Sequence, residues 1–168
     1  MAGVIVGLIS DTHGLLRPEA LAALEGSAHV IHAGDIGDGA ILEALERIAP
    51  VTAIRGNNDT EPWARRLRET QTVELAGVRI HVIHDLADLA PDPARRGIRV
   101  VISGHSHMPR VEERAGVLYV NPGSAGPRRF TLPVSVGRLA IADGLVQAEV
   151  IELAVAPARA RPAHRRSA

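Results

Sequence analysis

Five apolar segments of this chain each end in a short polar loop that carries side chains able to bind metal ions. The loops are 10–14 (SDTHG), 33–38 (AGDIGD), 55–59 (RGNND), 84–85 (HD) and 103–107 (SGHSH). In an open α/β sheet the carboxyl ends of the strands surround one crevice. We therefore expect these five loops to form a single cluster in the folded protein.

Seven side chains in these loops offer an oxygen or nitrogen donor to a cation. They are Asp11, His13, Asp35, Asn57, His84, His105 and His107. A carboxylate can bridge two ions, so if Asp35 bridges, seven side chains supply eight bonds, four to each ion. Such a site keeps positions open for water and substrate, as a catalytic centre requires. The mixture of imidazole, carboxylate and amide suits Mn, Fe, Co, Ni or Zn better than Mg or Ca.

Each of these signals has a structural explanation when it stands alone. An Asp-x-His pair at a strand end is usually a turn with a capping side chain, and a Gly-Asp pair is weaker still. The functional interpretation depends on all five loops coinciding with strand ends. By contrast, His32 and His81 lie inside predicted strands, where we expect hydrogen-bonded core or sheet-edge histidines.

Composition restricts the class of protein. The chain has 168 residues, 46% of them apolar, a formal net charge of zero and no cysteine. We predict one domain at 1–153, followed by a flexible tail at 154–168 that is rich in Ala, Pro and Arg. Neutral charge and scarce aromatic residues argue against a nucleic-acid partner. The sequence predicts neither a membrane span nor a signal peptide, so we expect a cytoplasmic protein. Whether it is a monomer or a homo-oligomer is left open by the sequence.

The hydrophobic pattern predicts a layered α/β domain, with a parallel-led sheet in the first half and more antiparallel strands in the second. The predicted strands are 4–9, 30–32, 51–54, 72–75, 78–83, 98–102, 111–113, 117–120, 134–141 and 145–153. The predicted helices are 18–25, 40–48 and a short one at 62–68.

Taken together, the loops resemble the calcineurin-like metallophosphoesterases, and within them the small YfcE-like phosphodiesterases. The matching motifs are D-x-H at 11–13, G-D-x-x-D at 34–38, G-N at 56–57, the isolated His84 and G-H-x-H at 104–107, in the family's order. The NPGS stretch at 121–124 also resembles that branch. The resemblance implies an α/β fold of four layers, α/β/β/α, in which a β-sandwich is flanked by helices.

The resemblance also implies which residues bind which ion. One metal would be held by Asp11, His13, Asp35 and His107, and the other by Asp35, Asn57, His84 and His105. Asp38 would orient a ligand histidine or support the loop. We expect two divalent ions, with Mn first and Zn, Fe, Ni or Co as alternatives.

The expected activity is hydrolysis of a small-molecule phosphodiester by a hydroxide that bridges two ions about 3.5–4 Å apart. The diester, as opposed to a monoester, is implied by the resemblance alone. We expect catalytic roles for Asp35, Asn57, Asp59 and His105.

Two positions depart from the family pattern. Many relatives have a histidine after the ligand asparagine that protonates the leaving group, and this chain has Asn58, which does not titrate usefully. The proton would then come from water, from Asp59 if it is protonated, or from the substrate, so good leaving groups should be favoured. The second departure is Asp85, which follows His84 where small members commonly have glycine.

An alternative from another class of protein is a catalytically weak, metal-binding scaffold for protein–protein interaction. A retromer subunit of the same fold resembles these enzymes but has weakened metal ligands. The full set of seven donors argues against that interpretation here.

Overall fold

The protein contains two five-stranded sheets packed face to face. The computed structural model describes residues 3–155. Its strands are β1 Val4–Ile9, β2 His29–His32, β3 Val51–Ala53, β4 Thr70–Leu75, β5 Val78–Ile83, β6 Val100–Ile102, β7 Arg110–Arg114, β8 Val117–Asn121, β9 Ser135–Ala142 and β10 Leu145–Glu152. The α-helices in this range are α1 Pro18–Leu24 and α2 Gly39–Glu46, and 3₁₀ helices occupy Pro62–Arg66, Leu86–Asp88 and Pro93–Arg96.

Both sheets combine a parallel centre with antiparallel pairs. The first has the order β10-β9-β1-β2-β3, in which β1, β2 and β3 run parallel while β9 pairs antiparallel with β1. The second has the order β4-β5-β6-β8-β7, with parallel β5, β6 and β8 between two antiparallel edge strands. The last two strands thus return to the sheet in which the chain began, a long-range pairing that local alternation of apolar residues does not specify.

Apolar side chains fill the space between the sheets and a second layer under the helices. Val6 and Leu8 of β1 belong to the inter-sheet core, whereas Ile9 belongs to the cluster beneath α1 and α2. The outer face of the second sheet buries Ile83 and Val101 beneath the 3₁₀ segments. The predicted four-layer architecture is confirmed, with the fourth layer built from short 3₁₀ helices.

Most predicted elements agree with the structure to within two residues at each end. The segment 62–68 differs, because it is a 3₁₀ helix that ends at Arg66. Leu67 already has an extended backbone, and the carbonyl of Arg68 accepts a hydrogen bond from the amide of Arg55 at 2.9 Å before β4 begins. Of the predicted tail, residues 156–168 lie outside the described range. Within residues 3–155, no helix has the length and apolar composition needed to cross a membrane.

His32 is a fully buried histidine at the end of β2, as the sequence predicted. Its Nδ1 accepts a hydrogen bond from the amide of Gly34 at 3.1 Å, so the proton of the neutral ring lies on Nε2. Nε2 donates to Thr12 Oγ1 at 3.0 Å, and that hydroxyl donates to the carbonyl of Ile36 at 2.8 Å. Burial lowers the pKa of His32 from 6.5 to about 4. The neutral ring therefore links the loops that follow β1 and β2.

We predict that His32 makes the stability of the fold dependent on pH. The ring is neutral in the folded state, so its contribution is complete above pH 6.5 and is lost as the pH falls toward 4. The loss should be about 3 kcal/mol in the free energy of unfolding. Urea unfolding between pH 7 and pH 4, with a chelator present, measures it. His32→Asn retains an acceptor for the Gly34 amide but does not titrate, so it should have a shallower slope, and an identical slope in both proteins would contradict the assignment.

Candidate metal centre

The polar loops meet at one edge of the two sheets, where β1, β2, β3, β5 and β6 all end. Backbone hydrogen bonds join neighbouring loops: the amide of Asp11 donates to the carbonyl of Gly34 at 3.0 Å, and that of His13 donates to Asp35 at 2.9 Å. Between the second-sheet loops, the amide of Gly104 donates to the carbonyl of His84 at 3.0 Å. The predicted convergence of strand ends is therefore observed.

A first group of donor atoms surrounds Asp11. Its Oδ1 lies 3.7 Å from His13 Nε2 and 3.4 Å from His107 Nε2. The two imidazole nitrogens are 3.4 Å apart. Neighbouring ligands of a tetrahedral ion with bonds of about 2.1 Å are roughly 3.4 Å apart, so this spacing matches donors around one cation.

A second group consists of Asp11, Asp35 and His84. Asp35 Oδ2 lies 3.2 Å from His84 Nε2 and 3.8 Å from His13 Nε2, so this oxygen lies between a histidine of each group. Asp11 Oδ1 is also near His84 Nε2, at 3.9 Å. Both carboxylates are thus placed where they could face two ions.

The donor atoms fit a cation because two of them are buried without a partner. Neither Asp11 Oδ1 nor His84 Nε2 has a hydrogen-bond partner among the described residues. His84 donates from Nδ1 to the carbonyl of Ala33 at 2.7 Å, so in the neutral ring the lone pair of Nε2 faces Asp11 and Asp35. A lone pair facing carboxylates is unfavourable unless a proton or a cation lies between them.

The pKa values show how strongly this group attracts positive charge. Burial alone would lower the pKa of His84, but the Asp35 carboxylate 3.2 Å from Nε2, the hydrogen bond to Ala33 and the nearby Asp11 charge raise it to about 9. The Asp11 carboxylate beside His13 raises the pKa of that histidine. Burial would raise the pKa of Asp11, but its contacts with His107, His13 and Ser10 lower it well below the usual range. A bound cation would replace these protons.

The backbone is strained at most of the candidate ligands. Asp11, His13, Asp35, His105 and His107 all have φ between 44° and 68°, the left-handed region that non-glycine residues rarely occupy. Such conformations persist only where the surroundings impose them, and they gather at functional sites.

Glycines beside the ligands permit close packing of the loops. A Cβ on Gly56 would overlap Asp35 Oδ1 and the Asp35 amide nitrogen. A Cβ on Gly104 would overlap Ser10 Oγ and lie 2.6 Å from Asp11 Oδ2. The glycines that precede Asn57 and His105 are therefore required by contact with the two carboxylates.

The other two predicted ligands border the centre. The imidazole of His105 is half-exposed, its ring centroid is 5.2 Å from that of His84, and its Nε2 is 3.5 Å from Asp85 Oδ2. The exposed Asn57 lines a small cavity together with His84 and Asp85. The structure thus brings five of the seven predicted ligands together and places His105 and Asn57 at the rim, beside His84.

Asn58 and Asp59 form hydrogen bonds that hold the loops around the centre in place. Asn58 donates to both oxygens of Asp35, from its amide nitrogen at 2.9 Å and from its side chain at 3.2 Å. The buried carboxylate of Asp59 accepts hydrogen bonds from the backbone amides of Ile36, Gly37 and Gly56 at 2.8–3.1 Å. Both Asp59 oxygens are therefore acceptors, which favours a positioning role over the proton-donor role considered from the sequence.

Asp38 differs from the expectation that it orients a ligand histidine. Its side chain is exposed and accepts a hydrogen bond from the amide of Ala40 at 2.9 Å, which caps the N-terminus of α2. An Asp just before a helix satisfies free amides there, and this local role explains the residue.

Supporting residues that the sequence did not assign lie behind the ligands. Ser10 Oγ donates to Asp11 Oδ2 at 2.7 Å, and Ser124 Oγ donates to the Asp11 carbonyl at 2.9 Å. Asn121 Nδ2 donates to the carbonyl of Gly104 at 3.0 Å and to Ser106 Oγ at 3.1 Å. The NPGS stretch was the available signal, since it supplies both Asn121 and Ser124.

Comparison with known proteins identifies the family. The sequence profile of the calcineurin-like phosphoesterase superfamily domain matches residues 4–144. The chain belongs to that superfamily. A probable metallophosphoesterase of Methanothermobacter thermautotrophicus is 34% identical over 160 residues, covering 88% of this chain and 92% of the relative. Phosphodiesterase YfcE of Escherichia coli is 28% identical over 160 residues, covering 77% and 84%. The predicted family is confirmed.

Solved structures agree with this placement in the superfamily. A structure described as a novel archaeal phosphodiesterase has a TM-score of 0.74 at 26% identity, covering 88% of this chain and all of that one. Vps29 of Chaetomium thermophilum has a TM-score of 0.71 at 20% identity, covering 89% and 97%. At that identity the likeness to Vps29 shows the fold alone.

We predict that Asp35→Ala abolishes binding of both ions, because Asp35 Oδ2 lies between His13 and His84. Mass spectrometry of metal content after reloading would measure the stoichiometry. Asp38→Ala is the matched control, since it removes a carboxylate from the same loop but only uncaps α2. Two ions retained by Asp35→Ala would refute the bridging role.

Proposed function

We propose that this protein is a phosphodiesterase that uses two divalent cations. The observation that carries the proposal is the set of buried carboxylate oxygens and imidazole nitrogens that face one another at donor spacing, two of them without a partner. Membership of the phosphoesterase superfamily and similarity to proteins named phosphodiesterase support the hydrolase class.

The proposed ligand sets follow the sequence assignment. One cation would be held by Asp11, His13, Asp35 and His107, and the other by Asp35, Asn57, His84 and His105. Sharing of Asp35 is supported by its position between His13 and His84, and Asn57 and His105 border the second set. The mixed nitrogen and oxygen donors suit Mn first, with Zn, Fe, Ni or Co as alternatives.

Divalent cations at such a centre would supply an acidified water and positive charge for phosphoryl oxygens. The chain's own contribution is to hold the ligands in place. Ser10 and the His105 amide donate to Asp11 Oδ2, Asn58 donates to Asp35, and the Ala33 carbonyl orients His84. Ligands already fixed by such bonds need little rearrangement during the reaction.

Residues 58 and 59 do not supply an acid for the leaving group. Asn58 is an amide, and both Asp59 oxygens accept backbone hydrogen bonds. Protonation therefore falls to water or to the substrate, and diesters with acidic leaving groups should react fastest.

The scaffold alternative gains nothing beyond fold similarity. Vps29 shares the architecture, but the present chain retains every donor of both proposed ligand sets, and five of them are gathered within the centre. Metal-dependent hydrolysis distinguishes the two functions.

We predict that chelator-treated protein is inactive toward bis(p-nitrophenyl) phosphate and regains activity with Mn, Zn, Ni or Co. Release of p-nitrophenol should rise at least about 100-fold over the stripped protein, because stabilisation of the transition-state charge returns. The monoester p-nitrophenyl phosphate should react more slowly.

His107→Ala should remove most of that activity. His29→Ala is the matched control, since His29 contacts Thr52 at 2.7 Å and lies outside both ligand sets. A folded wild-type protein with no turnover with any metal would favour the scaffold function.

We also predict that Asn58→His extends activity to poorer leaving groups. The new imidazole would lie beside Asp35 and could donate a proton to a poor leaving group. Turnover of dialkyl phosphate esters, which have such leaving groups, should therefore rise by about tenfold or more. Phosphate-ester hydrolysis followed by ³¹P NMR measures it. Asn58→Ala removes the amide without adding an acid and is the control, so an equal result for both variants would reject the missing-acid explanation.

A further inference from the structure

A cavity of about 470 Å³ opens beside the metal centre, on the side of His105. Its walls come from the loop that follows β6, the 3₁₀ helix Leu86–Asp88 and strand β8. A volume of this size is within the range of ligand-binding pockets. None of the roles assigned above to the metal ligands uses this space.

The cavity is continuous with the proposed site because the two share residues. His105 and Asp85 both line it, and Asp85 also lines the small cavity that contains Asn57 and His84. A phosphate ester bound at the centre would therefore have one of its organic groups beside this opening.

The wall is mainly apolar. Leu86, Met108, Pro109 and Tyr119 all line the cavity. Met108 is 58% exposed, so its apolar side chain is accessible to a ligand in the cavity. Methionine adapts its shape to flat apolar ligands, and an aromatic wall such as Tyr119 can stack with them.

The charged groups of the wall favour an uncharged occupant. Its charged side chains among the described residues are Asp85 and Arg110, one of each sign. Arg110 is already paired with Glu112 at 2.8 Å. A second phosphate or another anionic group would find no net positive charge there.

We propose that this cavity binds an uncharged aromatic ester substituent of the substrate, such as an aryl or nucleobase group. The inference rests on the proposed phosphodiesterase function and narrows its substrate class. A diester has two organic substituents, so one of them can occupy the apolar cavity while the phosphoryl group stays at the metal centre.

The test compares binding of phenylphosphonate and methylphosphonate to the metal-loaded protein by calorimetry, which requires no turnover. Phenylphosphonate should bind about tenfold more tightly, because its ring is removed from water. Met108→Gln should bring the ratio of the two affinities close to one. Leu86→Gln, which changes the wall formed by the 3₁₀ helix Leu86–Asp88, should do the same and provides a second variant if the first is poorly folded.

Val111→Gln is the matched control, since Val111 is an exposed apolar residue of β7 that does not line the cavity, and it should keep the preference. Equal affinity of the two phosphonates for the wild-type protein, or a preference that survives in the folded Met108→Gln and Leu86→Gln variants, would overturn the inference. The proposed function can fail independently of this inference. A protein that binds phenylphosphonate more tightly but hydrolyses no phosphodiester would support the cavity assignment and contradict the phosphodiesterase function.

Discussion

Two buried carboxylates that face three imidazole nitrogens are the constraint on which the rest of the structure depends. Asp11 and Asp35 lie within 3.2–3.9 Å of the Nε2 atoms of His13, His84 and His107. Charges so close and so poorly hydrated are stable only with protons or cations among them. The pKa of His84 is raised to about 9 because a proton on this ring offsets the negative charge of the two carboxylates.

The surrounding loops are built to keep these groups together. Asp59 joins the loops after β2 and β3 through three backbone amides, and Asn58 holds Asp35. Gly56 and Gly104 allow the close contacts between the loops and the two carboxylates. The left-handed backbone of most candidate ligands shows that this arrangement carries conformational strain. A rigid frame of this kind keeps the donor atoms in place before any ion binds.

In the proposed function, the neighbouring cavity would connect this centre to substrate choice. His105 and the exposed Met108 both line the cavity, so the chemistry of the cations and the selection of an organic group would occur side by side. Fold similarity alone cannot supply this distinction, since Vps29 shares the sandwich. The residues that line the cavity are the ones that would separate one substrate from another.

The sequence by itself determined the donors, their position at strand ends and the family, because apolar alternation and short motifs are local properties. It predicted His32 as a core residue for the same reason, since the ring lies inside an apolar strand. Tertiary structure decided what depends on partners distant in the chain. The return of β9 to β1, the donation of the Ile36 and Gly37 amides to Asp59 and the contact of Asn58 with Asp35 join segments 20 or more residues apart. Backbone N–H groups carry no side-chain signature, so no sequence pattern shows which carboxylate will receive them.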